Sequence, residues 1–311
     1  MKFPSIQALI PVLCLTLVGC TSPSSTSNVT TSPSSNPSLV VTSTQANRVI
    51  ALTSISADIL GHYDNKKLVG MTGSRLLAKD ERFKTIPTVS QGRTPPNLEA
   101  IAALKPDLVI GAVGFHDQVL NRLKQIGTNT LATEINSWSD FEKLNRDLAG
   151  IVGADPSTLL ARLNNCKKSK QGRSPSTLVL VSQRPILAPN KNSWAGNLLD
   201  QFKLKNVAGD IQSESPTKGY VTLSAEKVLE ANPELLILVN TEPGTVEGFK
   251  KLPFWSQLKA VQTDQVYTFD YYGLINPGSI EKIQQMCNKL GMITSLSGTS
   301  KLSRANRVDQ D

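Results

Sequence analysis

The stretch NLEAIAALKPDLVIG, Asn97 to Gly111, returns later in the chain as SAEKVLEANPELLILV, Ser224 to Val239. Laid with Pro106 on Pro233, the two keep one offset. Asn97 falls on Ser224, Glu99 on Glu226, Ile101 on Val228 and Asp107 on Glu234. Each copy predicts a short helix followed by a buried strand. Asn97 and Ser224 are N-cap residues, whose side-chain oxygens accept from first-turn amides. Lys105-Pro106 and Asn232-Pro233 stop the helices, because a residue before proline is pushed out of the helical region. Glu99 and Glu226 then stand at the second position of equivalent helices. The helix dipole favours an acid in a first turn by roughly 0.3–1 kcal/mol. That preference alone explains either glutamate, and explains less well why both copies keep one at the same place.

Working outward, RVIAL (Arg48 to Leu52), KLVGMTG (Lys67 to Gly73) and DLVIGA (Asp107 to Ala112) are short apolar runs separated by helix-like segments. A second set follows: TLVLVSQ (Thr177 to Gln183), ELLILV (Glu234 to Val239) and QVYTFD (Gln265 to Asp270). Alternating strands and helices predict parallel sheets with helices on their faces. Runs so uniformly apolar suit strands covered on both sides. Between the sets, Asp155 to Gly172 has an Asp-Pro start, Leu159, Leu160 and Leu163, a basic last turn and a terminal glycine. These are start and stop signals for one helix of about 25 Å. The predicted plan is an N-terminal lobe (48–154), a helical strut (155–172) and a C-terminal lobe (173–296), with only a small hinge motion between lobes.

The ends read differently. Lys2 precedes an apolar run, and LVGC, Leu17 to Cys20, resembles a bacterial lipoprotein cleavage box. Residues 1–19 are then a signal peptide, with Cys20 lipidated; an ordinary cleaved signal is the alternative. Residues 20–47 carry no charge before Arg48 and are rich in Ser, Thr, Pro and Asn. Such a segment cannot bury enough apolar surface to offset its ordering entropy, so it is a tether spanning about 30 Å as a coil. Residues 297–311 form a polar tail. Cys166 and Cys287 remain, in a compartment that permits disulfides, but sequence does not set their distance.

The whole chain has 311 residues, room for two domains, and a formal charge of +8. Its cations are scattered and no nucleic-acid motif is present, so anionic ligands or lipid headgroups fit better than nucleic acid. There is no Gly-rich phosphate loop, no G-x-S-x-G and no C-x-x-C, which leaves an enzyme without an identifiable signature. The two histidines, His62 and His116, do not make the multi-histidine site of a naked zinc or manganese ion. No resident cofactor is expected.

NLEAIAALKPDLVI, with RVIALTSISADIL before it and LPFWSQLKAVQTDQVYTFD after it, resembles the substrate-binding proteins of iron-siderophore, haem and vitamin B12 ABC importers. The likeness covers about Arg48 to Leu296. It implies two Rossmann-like lobes joined by one long helix, with ligand in the cleft at the strand ends. It also implies that Glu99 and Glu226 dock onto basic sockets of a permease dimer served by an ATPase. The expected molecule is a monomer, extracytoplasmic and lipid-anchored through Cys20.

Cleft candidates are residues just beyond strand ends. Arg93, in SQGRTPPNLE, matches a segment that in ferric hydroxamate-binding relatives sets an arginine against the chelate oxygens. A guanidinium answers anionic oxygen with forked, charge-assisted bonds of roughly 1.5–3 kcal/mol each. Arg75 and Arg184 follow strands in the first and second lobes. Trp194, Tyr220 and Tyr272 are aromatic wall candidates, and His116 follows the DLVIGA strand towards the cleft rim. A solvated or packing role is the competing reading for each. An Fe(III)-siderophore of hydroxamate or citrate type is the leading ligand. Cobalamin is second, since aromatic residues are only 5% of the chain; haem remains possible through His116 or a tyrosine. A purely structural lipoprotein would have no reason to place these residues at strand ends.

Overall fold

The structure, a computed structural model, describes residues 45–91, 94–166, 174–211, 215 and 217–296. The signal peptide, Cys20, most of the tether, Arg93 and the polar tail lie outside the described residues.

The N-terminal lobe runs β1 (Val49–Ala51), α1 (Ser54–Tyr63), β2 (Leu68–Gly73), β3 (Thr88–Gln91), α2 (Leu98–Ala103), β4 (Leu108–Ala112), α3 (Asp117–Gln125) and β5 (Asn129–Thr133). Its strands lie in the order β3-β2-β1-β4-β5, every pair parallel. The strand order turns back on itself between β1 and β4, the kind of switch point where open α/β sheets bind ligand. Two helices follow, α4 (Trp138–Val152) and α5 (Ser157–Arg162).

The C-terminal lobe begins with β6 (Ser176–Leu180), β7 (Ser182–Gln183), β8 (Ile186–Pro189), α6 (Trp194–Gln201), β9 (Lys205–Asn206) and β10 (Tyr220–Leu223). It continues through α7 (Ala225–Ala231), β11 (Leu235–Asn240), α8 (Thr245–Lys250), α9 (Lys259–Gln262), β12 (Val266–Asp270), the broken turn α10 (Tyr271–Leu274) and α11 (Ile280–Leu296). β12-β11-β6-β9 form a second parallel sheet, and β10-β8-β7 a small antiparallel one. Sequence reading expected the parallel strands β1, β2, β4, β6, β11 and β12 but not the antiparallel sheet. β3 and β5 carry no apolar run to mark them, because TVSQ and NTLAT are edge strands.

The repeat is confirmed in detail. Asn97 Oδ1 accepts from the Glu99 and Ala100 amides, and Ser224 Oγ from the Lys227 amide. Lys105 and Asn232, the two residues before proline, both adopt left-handed backbone, with φ of 46° and 31°. Past the prolines, Asp107 accepts from the Arg48 amide at 3.0 Å and Glu234 from the Ser176 amide at 3.3 Å. In each lobe the acid therefore stitches the central strand to its parallel neighbour at the same register.

Strand alternation sorts the core into layers. Val49 and Ala51 of β1 face one side of their sheet, and Ile50 the other. Leu235, Ile237 and Val239 of β11 face the side shared with the first lobe, and Leu236 and Leu238 face away. The shared side holds one continuous core, in which α1, α4, α6 and α11 contribute Leu60, Phe141, Leu198 and Ile283. The far sides are private to each lobe, and there the equivalent Ile101 and Val228 are both fully buried. Burial of such a side chain is worth about 1.5–3 kcal/mol.

One expectation needs correction. The segment Asp155 to Gly172 does not form a single helix: α5 spans six residues, Asn164–Cys166 form a 3-10 turn, and 167–173 lie outside the described residues. The strut is α4, 15 residues or about 22 Å long. Ser137 caps its start, and Gly153, at φ 74°, ends it in the left-handed conformation that glycine tolerates. Its buried face, Trp138, Phe141, Leu144, Asn145, Leu148 and Val152, packs against both lobes. The fold also begins earlier than residue 48, since the Ala46 amide donates to Ile151 O at 2.9 Å.

Candidate functional site

Two contacts bring the strand ends of the lobes together. Leu76, beyond β2, and the ring of Tyr272, beyond β12, both press on Gly278, where a Cβ would come within 3.0 Å and 2.6 Å of them. Only glycine fits there, and its φ of 67° also suits it. Elsewhere along the boundary, Glu134 beyond β5 accepts from Lys218 Nζ at 2.8 Å. The lysine holds the Glu134 carboxyl below the usual carboxylate range, with help from Asn136. Through Gly278 the segments beyond the carboxyl ends of β2 and β12, one from each parallel sheet, thus meet across the boundary, which is where a ligand crevice is expected.

The sequence candidates divide. Arg75 follows β2, and Arg184 occupies the turn between β7 and β8, at the opposite end of the antiparallel sheet from Tyr220; both are exposed cations. Tyr272 and Tyr220 are half-buried. Burial pushes the Tyr220 phenol well above its ordinary range, and Tyr271 adds to the shift, so Tyr220 stays a neutral donor. Tyr271 and Tyr272 meet edge to face at 5.4 Å.

Trp194 and His116, expected at the cleft, are instead buried. Trp194 is 3% exposed; its Nε1 donates to Gly273 O at 2.8 Å and its ring stacks on Trp138 at 6.0 Å. It joins α6 to α4 and to the tyrosine turn instead of lining a cleft. Ser193 Oγ caps the start of α6 by accepting the Gly196 amide at 3.0 Å. His116 is also buried, and its Nδ1 accepts the Ala112 amide at 2.9 Å. Gly111 leaves room for that ring, since a Cβ there would meet His116 at 2.8 Å. Burial lowers the His116 pKa against the opposing pull of Asp117. His62 is structural, within hydrogen-bond distance of Asp58 O and Arg82.

The sequence matches the periplasmic binding protein family over residues 49–272. The chain belongs to that family. This periplasmic binding protein is 25% identical over 228 residues to the "Putative ABC transporter substrate-binding lipoprotein YhfQ" of Bacillus subtilis, covering 68% of this chain and 69% of YhfQ. It is 26% identical over 188 residues to the Fe(3+)-citrate-binding protein YfmC of the same organism, covering 57% of this chain and 58% of YfmC. Among solved structures, the periplasmic vitamin B12 binding protein BtuF of Vibrio cholerae superposes with a TM-score of 0.62 at 18% identity. That alignment covers 82% of this chain and 99% of BtuF, and it establishes the fold.

In this periplasmic binding protein the acids of the repeat are both exposed, in the first turns of α2 and α7. Backbone and Ser224 hydrogen bonds hold the Glu226 carboxyl below its usual range. Sequence reading missed Val113 and Phe115, beyond β4, which are 48% and 68% exposed. They lie on the same carboxyl edge as Leu76 and Glu134, and their exposure was the signal that no pattern carries. Cys166 and Cys287, left open by sequence, are bonded, with Cα atoms 5.0 Å apart, and tie the 3-10 turn after α5 to α11. Among the described residues no group of His, Cys, Asp or Glu could hold a metal ion. No described helix is long and apolar enough to cross a membrane.

Proposed function

We propose that this chain is the extracytoplasmic solute-binding protein of an ABC importer, capturing a ferric siderophore of hydroxamate or citrate type for a permease dimer and its ATPase. The observation that carries it is the opposition of two parallel-sheet carboxyl edges in a member of this family. Arg75 and Arg184 supply cations for an oxygen-rich, anionic guest, and Phe115 and Tyr272 supply apolar faces for its organic part. Arg93 is proposed as a further donor on the sequence alone. The likeness to YfmC, named for Fe(3+)-citrate, supports the citrate type. Glu99 and Glu226 are proposed as the two docking acids, one for each half of the permease, and Cys20 as the lipid anchor. This is a role in binding and delivery, with no reaction catalysed.

Cobalamin or haem is the second reading, favoured by the uncovered Phe115 and the Tyr271–Tyr272 pair, which suit a flat macrocycle. Calorimetric titration with ferric citrate, a ferric hydroxamate, cobalamin and haem separates them. Heat of saturable binding is expected for a ferric chelate, weakened by Arg75→Ala or Arg184→Ala. Binding of cobalamin or haem alone selects the second reading, and no binding of any of the four removes both.

A further inference from the structure

Asp58 is a carboxylate that neither the repeat nor the cleft accounts for. It lies in the middle of α1 and is 2% exposed. A charge at that depth persists only where its oxygens are matched. Oδ1 accepts from Arg82 Nη2 at 2.7 Å, and Arg82 is steadied by Asp80 through Nε at 3.1 Å. Those partners belong to the N-terminal lobe and would suffice to keep a buried ion pair within it. Oδ2 does something else. It accepts the backbone amide of Ile280 at 2.7 Å, 222 residues further along the chain.

Ile280 is the first residue of α11, so the carboxylate meets an amide without an intrahelical partner, at the positive end of the helix dipole. The segment leading there, 271–279, leaves the carboxyl end of β12 and carries Tyr271 and Tyr272. Its near end is held within its own lobe: Asp270 Oδ1 accepts the Tyr272 amide at 3.1 Å, and Asp270 Oδ2 accepts from Lys282 Nζ at 2.7 Å. Its far end is held by the opposite lobe, through Asp58. Between the two, Gly278 packs under Tyr272 and against Leu76.

We propose that Asp58 is a positioning residue for the cleft: through the Ile280 amide it fastens the tyrosine segment of the C-terminal lobe to the N-terminal lobe, and so sets the separation of the two edges. Arg82 orients the carboxylate, and Asp58 itself touches no ligand. The fastening stands without knowledge of the ligand; only the affinity readout rests on the proposed function.

Two measurements without ligand test it. Hydrogen exchange followed by peptide should show residues 271–286 protected in the wild type. In Asp58→Ala that protection should fall, while β4 and β11 keep theirs. Spin labels at Lys124→Cys and Lys250→Cys, on exposed positions of the two lobes, should report one narrow distance that Asp58→Ala broadens. Should the alanine variant fail to fold, Asp58→Leu, which fills the space of the carboxylate and offers the Ile280 amide no acceptor, is read by the same two measurements. With ferric citrate as probe, affinity should weaken about tenfold if a tenth of the loosened molecules remain competent. Unchanged exchange in 271–286 with an unchanged distance overturns the proposal. Loss of protection in β4 and β11 to the same extent also overturns it, by making Asp58 a core residue only. Absence of ferric citrate binding by the wild type counts against the functional reading and leaves the ligand-free outcomes to decide this one.

Discussion

His116 shows what one buried side chain commits to. Its ring sits over Gly111, with Nδ1 accepting the Ala112 amide, and only the neutral ring with its proton on Nε2 can accept there. Burial lowers its pKa from 6.5, so near that pH the folded chain binds fewer protons than the unfolded one. Its contribution to stability is complete above the unfolded value and is lost as pH falls through the lowered native value. Thermal melts between about pH 7.5 and about pH 5 should therefore fall less steeply for His116→Asn, which keeps an acceptor and cannot take up a proton. Equal slopes would remove His116 from the acid response. Trp194 makes the related point for aromatics, because the sequence marks its place at a helix start and says nothing of which way the indole turns.

At the scale of elements, the repeat was legible because its signals are local. An N-cap, an apolar face, a proline stop and an acid before a strand all act within a few residues, and both copies form as expected. The caps are unequal, however. Asn97 accepts two amides, at 2.9 and 3.0 Å, whereas Ser224 accepts one at 3.3 Å. Asn97→Ala should cost about 1–2 kcal/mol and Ser224→Ala about 0.5 kcal/mol, read from urea midpoints at constant slope. The reverse order would mean that helix packing, not capping, sets the difference. The position of the strut differs from the expectation for a physical reason as well. Asp155, Pro156 and three leucines are sound signals, but they start a helix of two turns. The longer α4 begins upstream at Ser137, and its amphipathic run WSDFEKLNRDLAGIV lies inside the segment assigned to the first lobe.

At the scale of the molecule, two lobes share one core along α1, α4, α6 and α11 while each keeps its outer layer private. That arrangement resists large hinge motion and leaves α2 and α7 outward with an acid apiece. Glu99→Ala combined with Glu226→Ala should abolish ligand uptake by cells while the purified protein binds ligand as before. Normal uptake by the double variant would remove the docking role. Sequence by itself determined the alternation of strands and helices, the duplication, the caps and the placing of Glu99 and Glu226 on equivalent turns, because these depend on residues close along the chain. Only the tertiary structure decided that Trp194 and His116 point inward, that Phe115 stays uncovered, that Cys166 meets Cys287, and that Asp58 reaches Ile280. Each of those outcomes depends on which distant segments share a space, and no local preference encodes that.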